Sequence, residues 1–276
     1  MRTDNRALVC FFLIACVPPW IGWSLLRFGF LPADGAWQAL YLTGWAASAA
    51  GLIATYMEEG AHGVRRLLRE SVRFSVPLRW WLFLLFVPIL ASAGTVLLYI
   101  GISGNVVHFE PAFFLRLVAP SMLVTFFLGP FGEEFGWRGY LLPRLARQFS
   151  VLPAVLVVGV VWALWHWPLL HQSFIAAPGR ELATTMLGVT CMSVLIGTVY
   201  LRTGSLLLAM LLHWHINGVR DISGRVFPGL PDGSDLVLWC GVGASALVTA
   251  LTIPALLVAG PDKLQSPRAD ANAPGP

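Results

Sequence analysis

The sequence predicts an all-α fold, a polytopic membrane helix bundle of about eight transmembrane segments, and three observations carry that prediction. The 276 residues are 57% hydrophobic and only 12% charged, with a mean hydropathy of +0.73, whereas a soluble domain carries about a quarter charged residues. Apolar runs recur along the chain, most of them near the roughly 20 residues that cross the hydrocarbon of a bilayer. Basic residues collect in alternate connections between those runs, as the positive-inside rule requires of a polytopic protein. The net charge of +4 does not point to nucleic acid, because the positive residues lie between spans and form no patch. Cys10, Cys16, Cys191 and Cys240 sit inside apolar runs without metal spacing and read as small buried hydrophobes.

A short basic segment, Met1–Arg6, leads into the first span, Ala7–Phe28. Leu13-Ile14-Ala15-Cys16 has the look of a lipoprotein cleavage box, but the apolar run continues past Cys16, as a removed signal has no need to do. Trp37–Met57 is the second span, Trp80–Ile100 the third and Phe113–Phe131 the fourth. Leu152–Leu170, Leu182–Leu201 and Leu236–Val258 follow at similar length, with Leu206–Val219 between the last two. That segment is short for a full crossing and suggests a half-penetrating or locally thinned helix. The loop Glu58–Arg79 carries Arg65, Arg66, Arg69 and Arg73 at helical spacing. Either an amphipathic helix lying on the cytoplasmic leaflet or a solvated, orientation-setting loop fits it. Residues 1–259 form one bundle, with a catalytic core at about 113–219, and 260–276, rich in Pro, Ala and Asp, read as a disordered cytoplasmic tail.

Orientation follows from counting. In an alternating eight-span topology, thirteen of the eighteen Lys and Arg residues fall on one side. The other side receives Arg27, Arg116, Arg180, Arg220 and Arg225, so both termini are expected in the cytoplasm. Lys263 is the single lysine. That skew towards arginine fits a GC-rich bacterial genome, and with it a bacterial plasma membrane.

The chemistry concentrates in three places. Phe131-Gly-Glu-Glu-Phe-Gly-Trp-Arg-Gly-Tyr140 sets two carboxylates and an arginine at the end of the fourth apolar run. Such charges cost about 2.5–3.5 kcal/mol each on insertion scales and mark function more often than accident. Glu134 and Arg138 are four apart and can pair on one helix face, while Glu133 points about 100° away. A helix-end salt bridge at the headgroups is the plainer alternative.

His166 closes the run Val161-Trp-Ala-Leu-Trp-His166-Trp-Pro168. The midpoint between Glu133 and His166 falls at Phe149–Ser150, where Ser150 can cap a helix and Pro153 sits near its first turn. An antiparallel pair turning there would bring Glu133 and His166 to one depth. On the seventh segment His213 and Asn217 share a face, and His215 points nearly the opposite way. Hydrogen-bonded helix glue is the structural alternative for that pair. A carboxylate, two imidazoles and an amide make a hydrolase inventory: Glu133 as base on water, the imidazoles as metal ligands or donors, Asn217 at an oxyanion. No His-Glu-x-x-His or Gly-x-Ser-x-Gly pattern is present.

The ordered trio Glu133-Glu134-x-x-x-Arg138, aromatic-x-x-x-His166 and His213-x-x-x-Asn217 resembles the CAAX-prenyl-protease and bacteriocin-processing family of intramembrane proteases. The resemblance covers about Phe113–Val219, and it departs at Trp162, where the family pattern more often has Phe. It implies a membrane-associated protein or peptide as substrate, the bilayer as surroundings and no nucleic acid. Glu133 would activate water with His166 as partner, His213 and Asn217 would serve the oxyanion or a metal, and Glu134 and Arg138 would support them. The family is commonly classed as metalloprotease, so the resemblance favours one divalent ion, zinc, on Glu133, His166 and His213. A metal-free reaction uses the same residues and stays open. So does a non-catalytic protein, such as an immunity factor, scaffold or transporter, that keeps the cluster as structure.

Overall fold

The computed structural model describes residues 5–30, 43–110, 125–169, 182–227, 229–231 and 234–258, which form helices and connections and contain no β-strand. Helix α1 spans Asn5–Arg27, α2 Ala46–Glu70 and α3 Leu78–Ser103. A composite helix follows: α4 (Pro130–Glu134), a π-helical segment (Phe135–Leu141) and α5 (Leu142–Ala146). Then come α6 (Val151–Trp165), a 3-10 turn (Trp167–Leu169), α7 (Leu182–Thr203), α8 (Leu206–Val226) and α9 (Asp235–Val258). Four of these are long and apolar enough to cross a membrane: α1, α3, α7 and the Asp235–Pro254 stretch of α9. The protein is an all-α polytopic membrane bundle.

Several boundaries differ from the sequence reading. Of the expected second span, Trp37–Met57, residues 37–42 lie outside the described residues, 43–44 are helical, and α2 runs from Ala46 without stopping at Met57. Helix α2 runs through the expected loop to Glu70, bending at Gly60, whose φ of 63° only glycine adopts without strain. The helical alternative for Glu58–Arg79 therefore holds as far as Glu70. Most of the expected fourth span, and the tail from residue 260, lie outside the described residues. The apolar seventh segment, Leu206–Val219, is short, as expected, but the helix that carries it, α8, has 21 residues and ends at Val226. Its charged continuation through Arg220, Asp221 and Arg225 reads as loop by composition, yet the backbone bonds continue.

Packing around the composite helix is close because small residues face each other. An added Cβ on Gly136 would lie 2.2 Å from the Ala47 carbonyl oxygen, and one on Gly51 would lie 2.5 Å from that of Phe135. Gly132 approaches Gly44 in the same way, at 2.7 Å. Gly132-x-x-x-Gly136 is thus a small-residue face that lets α2 touch the composite helix backbone to backbone. Ser48 adds a hydrogen bond from its hydroxyl to the Phe131 carbonyl, 2.8 Å.

Prolines inside two helices are used as well. Pro19 has no N–H to give the Ala15 carbonyl, and the Trp165 indole donates to that oxygen instead, at 2.7 Å. Pro88 leaves the Leu84 carbonyl open in the same way, and the His215 Nδ1 meets it at 2.8 Å. His215 therefore fastens α8 to α3, and Trp165 fastens α6 to α1.

Candidate active site

Glu133 and Glu134 end α4, immediately before the π segment. A π turn closes i→i+5 hydrogen bonds, rises less per residue than an α turn, and is frequent at functional sites. Seven residues of it turn Arg138 inward, so that Phe135 through Leu141 are all buried.

Glu134 and Arg138 form an ion pair, Nη1 to Oε1 at 2.8 Å, with neither side chain exposed to any degree. The Nδ1 of His213 meets the same Oε1 at 2.7 Å. A carboxylate at that contact accepts, so Nδ1 carries the proton and Nε2 is the other face of the ring. Oε2 of Glu134 and the Nε and Nη2 of Arg138 are buried without a hydrogen-bond partner among the described residues.

Glu133 is arranged differently. It is 6% exposed and makes no ion pair among the described residues. Its Oε2 accepts from the Trp162 indole N–H. Its Oε1 lies 3.8 Å from the point where a Gly129 Cβ would stand, and the Asn217 Nδ2 lies 3.5 Å from that same point. The missing side chain of Gly129 leaves a gap the size of a methyl group that the Thr125 carbonyl oxygen, 3.4 Å from the same point, borders together with the carboxylate and the amide.

The sequence reading puts Glu133 level with His166; the structure sets it against Trp162, one helical turn nearer the hairpin. The π segment is the physical reason, since it shortens the climb from the turn to Glu133. The turn itself lies at residues 147–150, around the expected midpoint Phe149–Ser150. His166 closes α6. The helix tightens there, the His166 backbone N–H bonding to Ala163, 3.1 Å, and the Trp162 carbonyl is taken by the His166 Nδ1 at 2.8 Å. A carbonyl only accepts, so His166 is protonated on Nδ1 and its Nε2 is the basic nitrogen.

Trp162 was present in the sequence reading only as an aromatic. In the structure its ring lies 4.2 Å from the Arg138 Cζ and meets the His213 ring edge to face at 5.0 Å. The signal that could have found it is its indole N–H, four residues before His166 on the helix facing the carboxylates.

The donor types for zinc are present in Glu133, His166 and His213. The arrangement does not suit it: among the described residues no three His, Cys, Asp or Glu side chains gather closely enough to hold a metal ion.

A second cluster lies further along the composite helix. Tyr140 donates its hydroxyl to Glu58, 2.9 Å, and the Arg144 guanidinium stacks on the Tyr140 ring while pairing with the same carboxylate. It ties α2 to the end of the π segment, and its charges are matched internally.

Residues 115–219 match the family model described as Rce1-like, type II CAAX prenyl endopeptidase. A stretch of 62 residues is 37% identical to the CAAX prenyl protease 2 of Methanococcus maripaludis. That stretch is 22% of this chain and 19% of the relative, so the match spans about a fifth of the relative's length.

Proposed function

We propose that this chain, which belongs through residues 115–219 to the Rce1-like CAAX endopeptidase family, is an intramembrane endopeptidase. It hydrolyses a peptide bond of a membrane-associated protein or peptide with a water activated by Glu133. The observation that supports this best is the division of labour between adjacent carboxylates. Glu134 is engaged by Arg138 and His213, while Glu133 faces a gap bordered by an amide donor.

The chemistry follows from those positions. Water in the gap beside Gly129 gives its proton to Oε1 of Glu133 as its oxygen bonds to the carbonyl carbon of the substrate. The carbonyl oxygen becomes an oxyanion, met by the Asn217 amide and, when its Nε2 also carries a proton, by His213, whose Nδ1–H Glu134 holds in place. Collapse of that intermediate breaks the C–N bond, and the proton passes to the leaving nitrogen from Glu133 or through Nε2 of His166. Burial excludes bulk water and strengthens each of these contacts.

The name of the archaeal relative, CAAX prenyl protease 2, makes a prenylated peptide the first substrate to try. The distribution of basic residues supports cytoplasmic termini in a bacterial plasma membrane. The experiment is a cleavage assay in liposomes with prenylated and plain peptides, products identified by mass spectrometry, against Glu133→Gln. A non-catalytic immunity factor, scaffold or transporter predicts no product from either protein.

A further inference from the structure

Trp162 stands at the centre of the site, and the reaction above does not use it. Its N–H reaches Glu133, its face covers Arg138 at 4.2 Å, its edge partner is His213, and its carbonyl holds His166. A packing role would ask only for the ring, which is 1% exposed. The ring instead delivers a donor to a buried carboxylate that has no ion pair among the described residues. A guanidinium over the ring draws electron density from the indole and makes its N–H a stronger donor. With Oε2 held, rotation of the Glu133 carboxylate about its last torsion is restrained, and Oε1 stays directed at the gap beside Gly129 and Asn217.

We propose that Trp162 is a positioning residue: its indole N–H fixes one oxygen of Glu133 so that the other stays aimed at the water site. The consequence for rate rests on the reading of Glu133 as the water-activating carboxylate; the hydrogen bond itself does not.

The test replaces Trp162 by Phe and, in a second protein, by 3-benzothienylalanine, which keeps the indole shape but has sulfur in place of the N–H. Two quantities are read in liposomes. One is kcat and KM for a prenylated reporter peptide; the other is the rate at which dicyclohexylcarbodiimide modifies Glu133, followed by mass spectrometry. Losing a charge-assisted hydrogen bond should lower kcat about 10-fold or more, with KM held within about twofold. Carbodiimide attacks an unheld, protonated carboxyl, so modification should quicken in both variants. The benzothienylalanine protein should melt with its parent, which separates positioning from packing. Unchanged kcat and unchanged modification in that protein overturn the proposal. If the parent cleaves no peptide yet modification quickens, positioning is upheld and the endopeptidase reading falls. Glu133→Gln, which offers no carboxyl at this position, sets the background for both readouts.

Discussion

Glu133 and Glu134 are consecutive in sequence and engaged by different chemistry: the first by a neutral indole N–H, the second by a guanidinium and an imidazole on one oxygen. Their roles separate accordingly. Truncating Glu134 leaves Arg138 a buried charge without its partner, and truncating Arg138 does the same to Glu134. Either should cost about 3–5 kcal/mol. Glu133→Ala removes a carboxylate that balances no ion pair and should cost far less. Thermal melts of the three purified variants check this; equal loss in all three would contradict the division.

The gap beside Gly129 is the second point of attack. A methyl group there meets Asn217 Nδ2 at 3.5 Å and Glu133 Oε1 at 3.8 Å. These are ordinary contacts, so Gly129→Ala should fold with a melting temperature close to its parent's. The methyl occupies the place assigned to water, and displacement on this scale costs on the order of 100-fold in rate. Steady-state turnover beside a melt measures both. A variant with full activity would move the water site elsewhere.

Gly136 and Gly188 make a matched pair for the packing claim. Alanine at Gly136 would drive its Cβ to 2.2 Å from a backbone oxygen of α2, which neither helix can yield without separating. At Gly188 nothing lies within 4 Å, and alanine there gains helix propensity of about 1 kcal/mol. Gly136→Ala should therefore lose folded protein in detergent, while Gly188→Ala melts at or slightly above its parent.

Much of the fold was legible because apolar runs report membrane helices directly: Trp80–Ile100 sits inside α3, and Leu182–Leu201 inside α7. The Glu134–Arg138 pair follows from a spacing of four. The π segment left no trace in the sequence, since its hydrogen-bond register is not a residue pattern, and it shifted Glu133 from His166 to Trp162. The end of α8 is not legible because Arg220, Asp221 and Arg225 interrupt the apolar run while the backbone helix continues to Val226. Gly132-x-x-x-Gly136 carries the signal of a close helix contact in its spacing alone. The carbonyls left open by Pro19 and Pro88 needed the opposite helices to give them meaning.

Metal dependence divides two uses of the same residues. As arranged, Glu133, His166 and His213 do not gather as a ligand set, so the reaction proposed here should survive chelation. Elemental analysis of the purified protein, with activity measured before and after chelator, tests it. Activity persisting in metal-free protein agrees with the account. Stoichiometric zinc, lost with activity and restored with it, would require His166 and His213 to close on Glu133.

The central claim is that Glu133 activates the water that cuts the peptide. Its most direct measurement is cleavage of a prenylated reporter peptide by the parent protein and by Glu133→Gln in liposomes, at matched protein level and matched melting temperature. The account predicts product from the parent and a loss on the order of 100-fold or more in the variant, the scale of general-base catalysis. A Glu133→Gln protein that cleaves the peptide at the parent's rate would contradict it.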